Sequence, residues 1–179
     1  MTQPSPTGSG TVLIGTAVPA DAPGMLALHQ RVVGEGRFFI SEPDELRETV
    51  EGKLLQIRDA ARSERTIWYV ARRGGRVVGM AHASGAARRR NRHVARIELM
   101  VDRPDRGHGI GGALLDAVIR WAESHPVIHK LSLQVYTDNE AAISLYLRRG
   151  FVEEGRRVRE YQFADGTWHD DLLMARWVK

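Results

Sequence analysis

One stretch limits what this chain can fold into more than any other. Val94-Ala95-Arg96-Ile97-Glu98-Leu99-Met100-Val101 is a short apolar run in which Val94, Ile97, Leu99 and Val101 favour a strand. Asp102-Arg103-Pro104-Asp105 follows, and Pro104, which has no donor for a ladder, ends the strand. Next comes Arg106-Gly107-His108-Gly109-Ile110-Gly111-Gly112. Beyond it Leu114, Leu115, Val118, Ile119 and Ala122 recur at helical spacing, which predicts a helix over residues 113–124, stopped by Pro126. A glycine loop that feeds a helix start is an anion site in principle. The first-turn N–H groups have no intrahelical partner, the helix dipole favours negative charge there, and glycines let a phosphate come close. Arg106 before the loop and Arg103 nearby carry guanidinium groups that suit phosphate oxygens.

Two ligand readings of this loop compete. Gly107, Gly109 and Gly112 fit G-x-G-x-x-G, the dinucleotide fingerprint. Its context argues against that reading: a polar turn separates the glycines from the strand, and too few residues follow Gly112 to build a doubly wound sheet. A Walker A loop is excluded, because no Lys-Ser/Thr follows the glycines.

The second reading is a resemblance. Arg106-x-x-Gly109-x-Gly111, after an apolar strand and before a Leu-Leu helix, resembles the coenzyme A loop of the GNAT superfamily of N-acetyltransferases, whose pattern is Gln/Arg-x-x-Gly-x-Gly/Ala. A second block, Asn139-x-Ala141-Ala142-x-x-Leu145-Tyr146-x-x-x-Gly150-Phe151, is similar to the family's downstream segment. The two come in the expected order, and the resemblance covers the chain from about Val12 to its end.

The rest of the chain agrees with that order. Residues 11–16 read as a strand and 22–33 as a helix capped by Asp21, with Met25, Leu26, Leu28 and Val32 on its apolar face. A second helix is expected from near Asp44 to about Arg62. Residues 67–71 and 77–83 form a hairpin turned at Gly74-Gly75, and residues 130–136 alternate as a half-buried strand. A helix capped by Asp138 or Asn139 closes at Gly150, and residues 152–163 and 168–177 form a long hairpin. The fold class is therefore α/β (α+β), with a mixed sheet. The resemblance implies a twisted, mostly antiparallel sheet flanked by helices. It also implies that the strand ending at Val101 and the strand over residues 130–136 splay apart to form an acetyl-CoA cleft. Residues 1–10, rich in Pro, Ser, Thr and Gly, read as a disordered tail, and residues 11–179 as a single domain.

Site residues follow from the resemblance. The amides of Gly107, His108, Gly109, Ile110, Gly111 and Gly112 would face the pyrophosphate, with Arg106 adding charge. The edge formed by Leu99, Met100 and Val101 would hold the pantetheine arm, and the amide of Met100 or Val101 would polarise the thioester carbonyl beside a bulge in the strand. Tyr146 matches the tyrosine near the coenzyme sulfur, the usual proton donor. Its bland alternative is an aromatic packed on a buried helix face. Asn139 matches a position that contacts the coenzyme arm, and it also suits an N-cap. Glu98 is placed to act as base, directly or through water. Its alternative is an ion pair with Arg96 or Arg92.

The acceptor site would be built by the connection between the first two helices and by the C-terminal hairpin. Those offer Glu35, Arg37, Phe38, Phe39, Ser41 and Glu42, then Arg159, Tyr161 and Trp168. Residues 165–176 look like members that acetylate small amines or amino acids, such as phosphinothricin-type acetyltransferases. The expected activity is direct transfer from acetyl-CoA to a primary amine of a small molecule or amino acid. A protein or peptide amine, or a non-catalytic acyl-CoA sensor, are the alternatives.

Composition excludes other classes. The chain has no cysteine, so it has no disulfide, thiolate metal site or cysteine nucleophile, which suits a cytoplasmic protein. No apolar run spans a bilayer. The net charge of +4 is concentrated at Arg88-Arg89-Arg90-Asn91-Arg92, where no aromatic interleaves. This reads as a solvated loop and argues against nucleic acid as a partner. No zinc motif occurs, and His169-Asp170-Asp171 reads as a strand-edge charge cluster, so no metal is expected. A homodimer is compatible with the sequence.

Overall fold

The computed structural model describes residues 10–179. The expected N-terminal tail lies outside the described residues apart from Gly10. The first strand, β1 (Val12–Thr16), leads into α1 (Ala22–Val33) and α2 (Val50–Arg62). Next come β2 (Thr66–Arg73), β3 (Arg76–Gly85) and β4 (Val94–Val101), and then α3 (Ile110–Ser124). The chain ends with β5 (Lys130–Tyr136), α4 (Glu140–Leu147), β6 (Val152–Gln162) and β7 (Trp168–Trp177). The β2–β3 turn is set by Gly74 and Gly75 at φ 54° and 79°, a left-handed pair that matches the twist of a hairpin.

The seven strands form one open sheet in the order β1-β2-β3-β4-β5-β7-β6. Every neighbouring pair is antiparallel except β4–β5. That parallel pair is joined only at Val94↔Lys130, Ala95↔Leu131 and Arg96↔Ser132. Beyond Arg96 the two strands part, and the sheet opens at its centre as the resemblance implies.

Period-two alternation gives the sheet two apolar faces, and helices cover both. On one face Met25, Leu28 and Val32 of α1 and Ile57 and Ala60 of α2 pack with Trp68, Val70, Met80 and Met100. On the other, Leu114, Leu115, Val118 and Ala122 of α3 pack with Ala81, Ala83, Ala95, Ile97, Leu131 and Leu133. At the C-terminal end of α4, Tyr146 and Phe151 join this second core, their rings 5.7 Å apart.

The expected boundaries fail in two informative places. Helix α2 does not start at Asp44. Pro43–Glu45 makes a single 3-10 turn, Leu46 is extended, and Thr49 caps the helix by accepting from the Gly52 amide at 3.1 Å. The apolar spacing carried no sign of that break, which is local capping chemistry. Helix α3 begins at Ile110 rather than at 113, because Gly109 at φ 78° forms the N-cap and the glycines after it are already helical. The basic segment between β3 and β4 is exposed, as expected.

Candidate active site

A cleft of about 1480 Å³ passes between β4 and β5 and is lined from the glycine loop to Asp171 of β7. That volume exceeds the usual range for a drug-sized ligand and has room for a long one plus an acceptor. The register of β3 against β4 runs unbroken from Gly79↔Val101 to Gly85↔Ala95, so no bulge interrupts β4. The expected bulge is corrected accordingly. Arg96, Glu98 and Met100 keep one face and Ile97, Leu99 and Val101 the other.

The unbroken strand also fixes the amides. Asp102 donates to Val78 at 2.9 Å, and Val94 accepts from Ala86 at 3.0 Å, so even-numbered backbone groups of β4 point at β3. Successive groups alternate. The amides of Leu99 and Val101 therefore face the gap, and that of Met100 does not.

At the mouth of the gap the N-terminus of α3 is bare. Helices α2 and α4 are capped by the side chains of Thr49 and Asn139, but no side chain caps α3. Its first helical hydrogen bond runs from Ala113 to Gly109 at 3.0 Å, which leaves the amides before it turned outward. Gly107 and Gly109, at φ 79° and 78°, carry the turn that presents them. Gly112 has a different task. A methyl group there would fall 2.2 Å from the guanidinium of Arg149, which pairs with Asp116 at 2.7 Å. Sequence reasoning missed that cation. His108 contributes backbone only, its ring lying 3.4 Å from the Asp105 carbonyl and outside the cleft.

Arg106 does not project freely into the loop. Its Nε donates to the Val101 carbonyl at 2.9 Å, and its two terminal nitrogens donate to the Glu35 carboxylate at 2.8 and 2.7 Å. Two residues expected at opposite ends of the site thus meet, and Glu35, which lines the cleft, also anchors the loop. A pair this exposed is worth about 1 kcal/mol or less, so an arriving phosphate can compete for the guanidinium. Beneath the loop, Asp102 and Asp105 are buried. Arg31 and Arg76 reach Asp102 at 2.8 and 2.7 Å, while Arg73 and Arg76 hold Asp105. These clamps position the loop from inside, and no motif announced them.

Tyr146 lines the cleft from α4, and its hydroxyl has no hydrogen-bond partner among the described residues. Burial pushes its phenol up to about pKa 12, so it holds its proton at any physiological pH. Asn139 lines the cleft as well, and its side chain accepts from the Ala142 amide at 3.3 Å. Glu98 is open to the cleft, and neither Arg96 nor Arg92 pairs with it. Opposite it on β3 stands His82, stacked on Trp68 at 4.2 Å. Burial outweighs the pull of Glu98 and lowers the imidazole pKa, so His82 is neutral at pH 7.

The acceptor side is aromatic. Phe38 and Phe39 line it from the α1–α2 connection, and Tyr161 from β6. Tyr136 of β5 joins them, its hydroxyl donating to the Phe39 carbonyl at 3.1 Å. Arg159 does not join. It is exposed, at φ 54°, in the bulge that shifts the β6–β7 register, and its amide donates to Asp170 at 2.7 Å. The reading of residues 169–171 as an edge cluster is also corrected. Strand β7 lies between β5 and β6, and Asp171 is buried and lines the cleft. Among the described residues no three His, Cys, Asp or Glu side chains gather as a metal-ligand set.

A central gap with a bare helix N-terminus at its mouth and an unpaired phenol inside defines a cleft for a long anionic ligand. The Acetyltransferase (GNAT) family pattern matches residues 29–151. The chain belongs to that family.

An L-amino acid N-acetyltransferase of Escherichia coli is 32% identical over 102 residues, 57% of this chain and 62% of the relative. A spermidine N(1)-acetyltransferase of Vibrio cholerae is 30% identical over 42% of this chain and 43% of its own. The chain thus spans less than two thirds of the length of these curated relatives. The solved structure of a GNAT acetyltransferase from Streptococcus pneumoniae superposes with a TM-score of 0.89 at 30% identity, over 93% of this chain and 99% of the other. A ribosomal-protein-alanine N-acetyltransferase from Brucella melitensis gives 0.82 at 30% identity, over 92% and 99%. A phosphinothricin acetyltransferase from Sinorhizobium meliloti, solved with acetyl-CoA, shares the fold at 0.82 and 22% identity, over 93% and 88%.

Proposed function

We propose that this protein moves the acetyl group of acetyl-CoA directly to a primary amine of a small molecule or amino acid. The observation that carries the reading is the coincidence of the bare α3 N-terminus with the free β4 edge and the unpartnered Tyr146 hydroxyl along one gap. Bound acetyl-CoA would supply an acetyl group activated as a thioester. The amides of residues 107–112 would meet its pyrophosphate, and Asn139 would flank its arm. Arg106 contributes charge when a phosphate draws it from Glu35.

The chain's residues then divide the chemistry. Glu98 takes the proton from the acceptor ammonium, directly or through water, so that the nitrogen lone pair is free to attack the carbonyl carbon. The Val101 amide donates to the carbonyl oxygen as it gains negative charge. As the carbon–sulfur bond breaks, Tyr146 gives its proton to the departing thiolate, and the second proton that the nitrogen sheds in becoming an amide returns to Tyr146 through water. One domain over residues 11–179 carries these steps, and we place it in the cytoplasm. Among the described residues no helix is long and apolar enough to cross a membrane.

The relatives' names span amino acids, spermidine and a ribosomal protein. The aromatic wall at the acceptor side favours a small amine over an extended peptide. Tyr146→Phe tests the mechanism: kcat should fall by about a hundredfold or more while acetyl-CoA affinity is kept. An unchanged kcat removes Tyr146 from the reaction.

A further inference from the structure

The acceptor side of the cleft holds a carboxylate without a hydrogen bond. The Asp171 side chain is 2% exposed, and its Oδ2 is sealed from solvent with no hydrogen-bond partner. Arg157 stands 3.7 Å from that oxygen, within ion-pair reach but beyond hydrogen-bonding range, and donates its hydrogen bond to Glu160 at 2.9 Å. Arg96 of β4 acts on Asp171 through space but lies outside ion-pair distance. Burying a carboxylate without hydrogen bonds costs several kcal/mol, and in folded proteins such a group is the exception that calls for a partner.

Its surroundings indicate which partner. Tyr136, the register neighbour of Asp171 on β5, meets Tyr161 edge-on at 5.0 Å and Phe38 at 6.4 Å. The Tyr136 phenol is raised first by burial and then by Tyr161, Asp171, Asp138 and Glu42. No cation offsets them at that ring, and so the field there is negative. On the neighbouring Phe38 the Arg37 guanidinium already stacks, 4.7 Å from the ring centroid, so this wall accepts a cation. Aromatic faces, a negative field and one unsatisfied carboxylate suit an ammonium. Strand β7 lies beyond β5 from β4, two strand spacings or about 10 Å between backbones where sheets are paired. One nitrogen cannot be both the acceptor beside Glu98 and the partner of Asp171.

We propose that Asp171, with Tyr136, Tyr161 and Phe38, binds a second, non-reacting ammonium of the acceptor, which makes a short diamine the preferred substrate. The proposal rests on the acetyltransferase reading and narrows its acceptor. It is tested by steady-state kinetics at saturating acetyl-CoA with 1,4-diaminobutane, n-butylamine and norvaline. The diamine should exceed n-butylamine in kcat/KM by about ten- to a hundredfold, the range of one charge-assisted bond. Asp171→Asn should bring that ratio close to one by raising KM for the diamine. Equal use of the two amines by the unaltered protein, a preference for norvaline, or a ratio that survives Asp171→Asn overturns the proposal and leaves the acetyltransferase intact. The first two need no variant, so they hold even if Asp171→Asn misfolds. Absence of transfer to every amine, together with no thermal stabilisation by coenzyme A, removes both readings.

Discussion

Burial changes how Tyr146 titrates. A solvated phenol would titrate near 10, whereas this one is pushed up to about 12 by burial alone. Below pH 10 the phenol is protonated in both folded and unfolded chains, so it adds no pH dependence there. Above pH 10 the unfolded chain releases its proton first, and stability falls as pH rises toward the folded value. The loss should reach about 1.4 kcal/mol by pH 11. Urea unfolding of the unaltered protein and of Tyr146→Phe at pH 8 and pH 11 measures it as a fall in the stability of the unaltered protein relative to the variant. A constant difference would mean that the hydroxyl is solvated. Tyr146 was legible in the sequence because its motif fixes the distance to Gly150 and Phe151. Asp171 was not, because its burial follows from the placement of β7 between β5 and β6 and its pairing with Tyr136, a long-range arrangement with no local signal.

The glycine loop depends on what lies beneath it. Asp105 is 1% exposed and held by Arg73 and Arg76 from the β2–β3 hairpin. Asp105→Ala should destabilise the fold by about 1.5–3 kcal/mol, since it leaves the part-buried Arg73 without its carboxylate while the half-exposed Arg76 keeps Asp102, and thermal unfolding reads it. A change below about 1 kcal/mol would mark the clamp as a surface pair. Strands β4 and β5 and helix α1 came out at their expected bounds, because apolar periodicity acts locally, but the expected cap did not: the Asp21 carboxylate makes no cap to α1 and accepts instead from the Val18 amide and Arg72. The late start of α2 and the Arg106–Glu35 pair did not come out of the sequence. The first turns on one Thr49 cap and the second on a contact between segments 71 residues apart.

The sheet is continuously paired from strand to strand everywhere but at its centre. Strands β4 and β5 share three register pairs and then part, while α1–α2 and α3–α4 cover the two faces. The gap therefore connects the glycine loop and bare α3 N-terminus on one side with the aromatic wall of Phe38, Phe39, Tyr136 and Tyr161 on the other. Its existence followed from the family resemblance, not from periodicity, since nothing in the alternation of either strand encodes divergence. Its aromatic lining was legible only in part: Phe38, Phe39 and Tyr161 were expected, while Tyr136 and Asp171 emerge from the register of β5 with β7.

Thermal unfolding with acetyl-CoA, coenzyme A, NAD and ATP in parallel addresses the cleft most directly. A ligand at about a hundred times its Kd stabilises a fold by about 2.7 kcal/mol, roughly 5–10 °C for a chain of this size. Acetyl-CoA and coenzyme A should both produce that shift and NAD should not. A shift with NAD, or none with either form of coenzyme A, would contradict the assignment of the glycine loop and with it the proposed transfer.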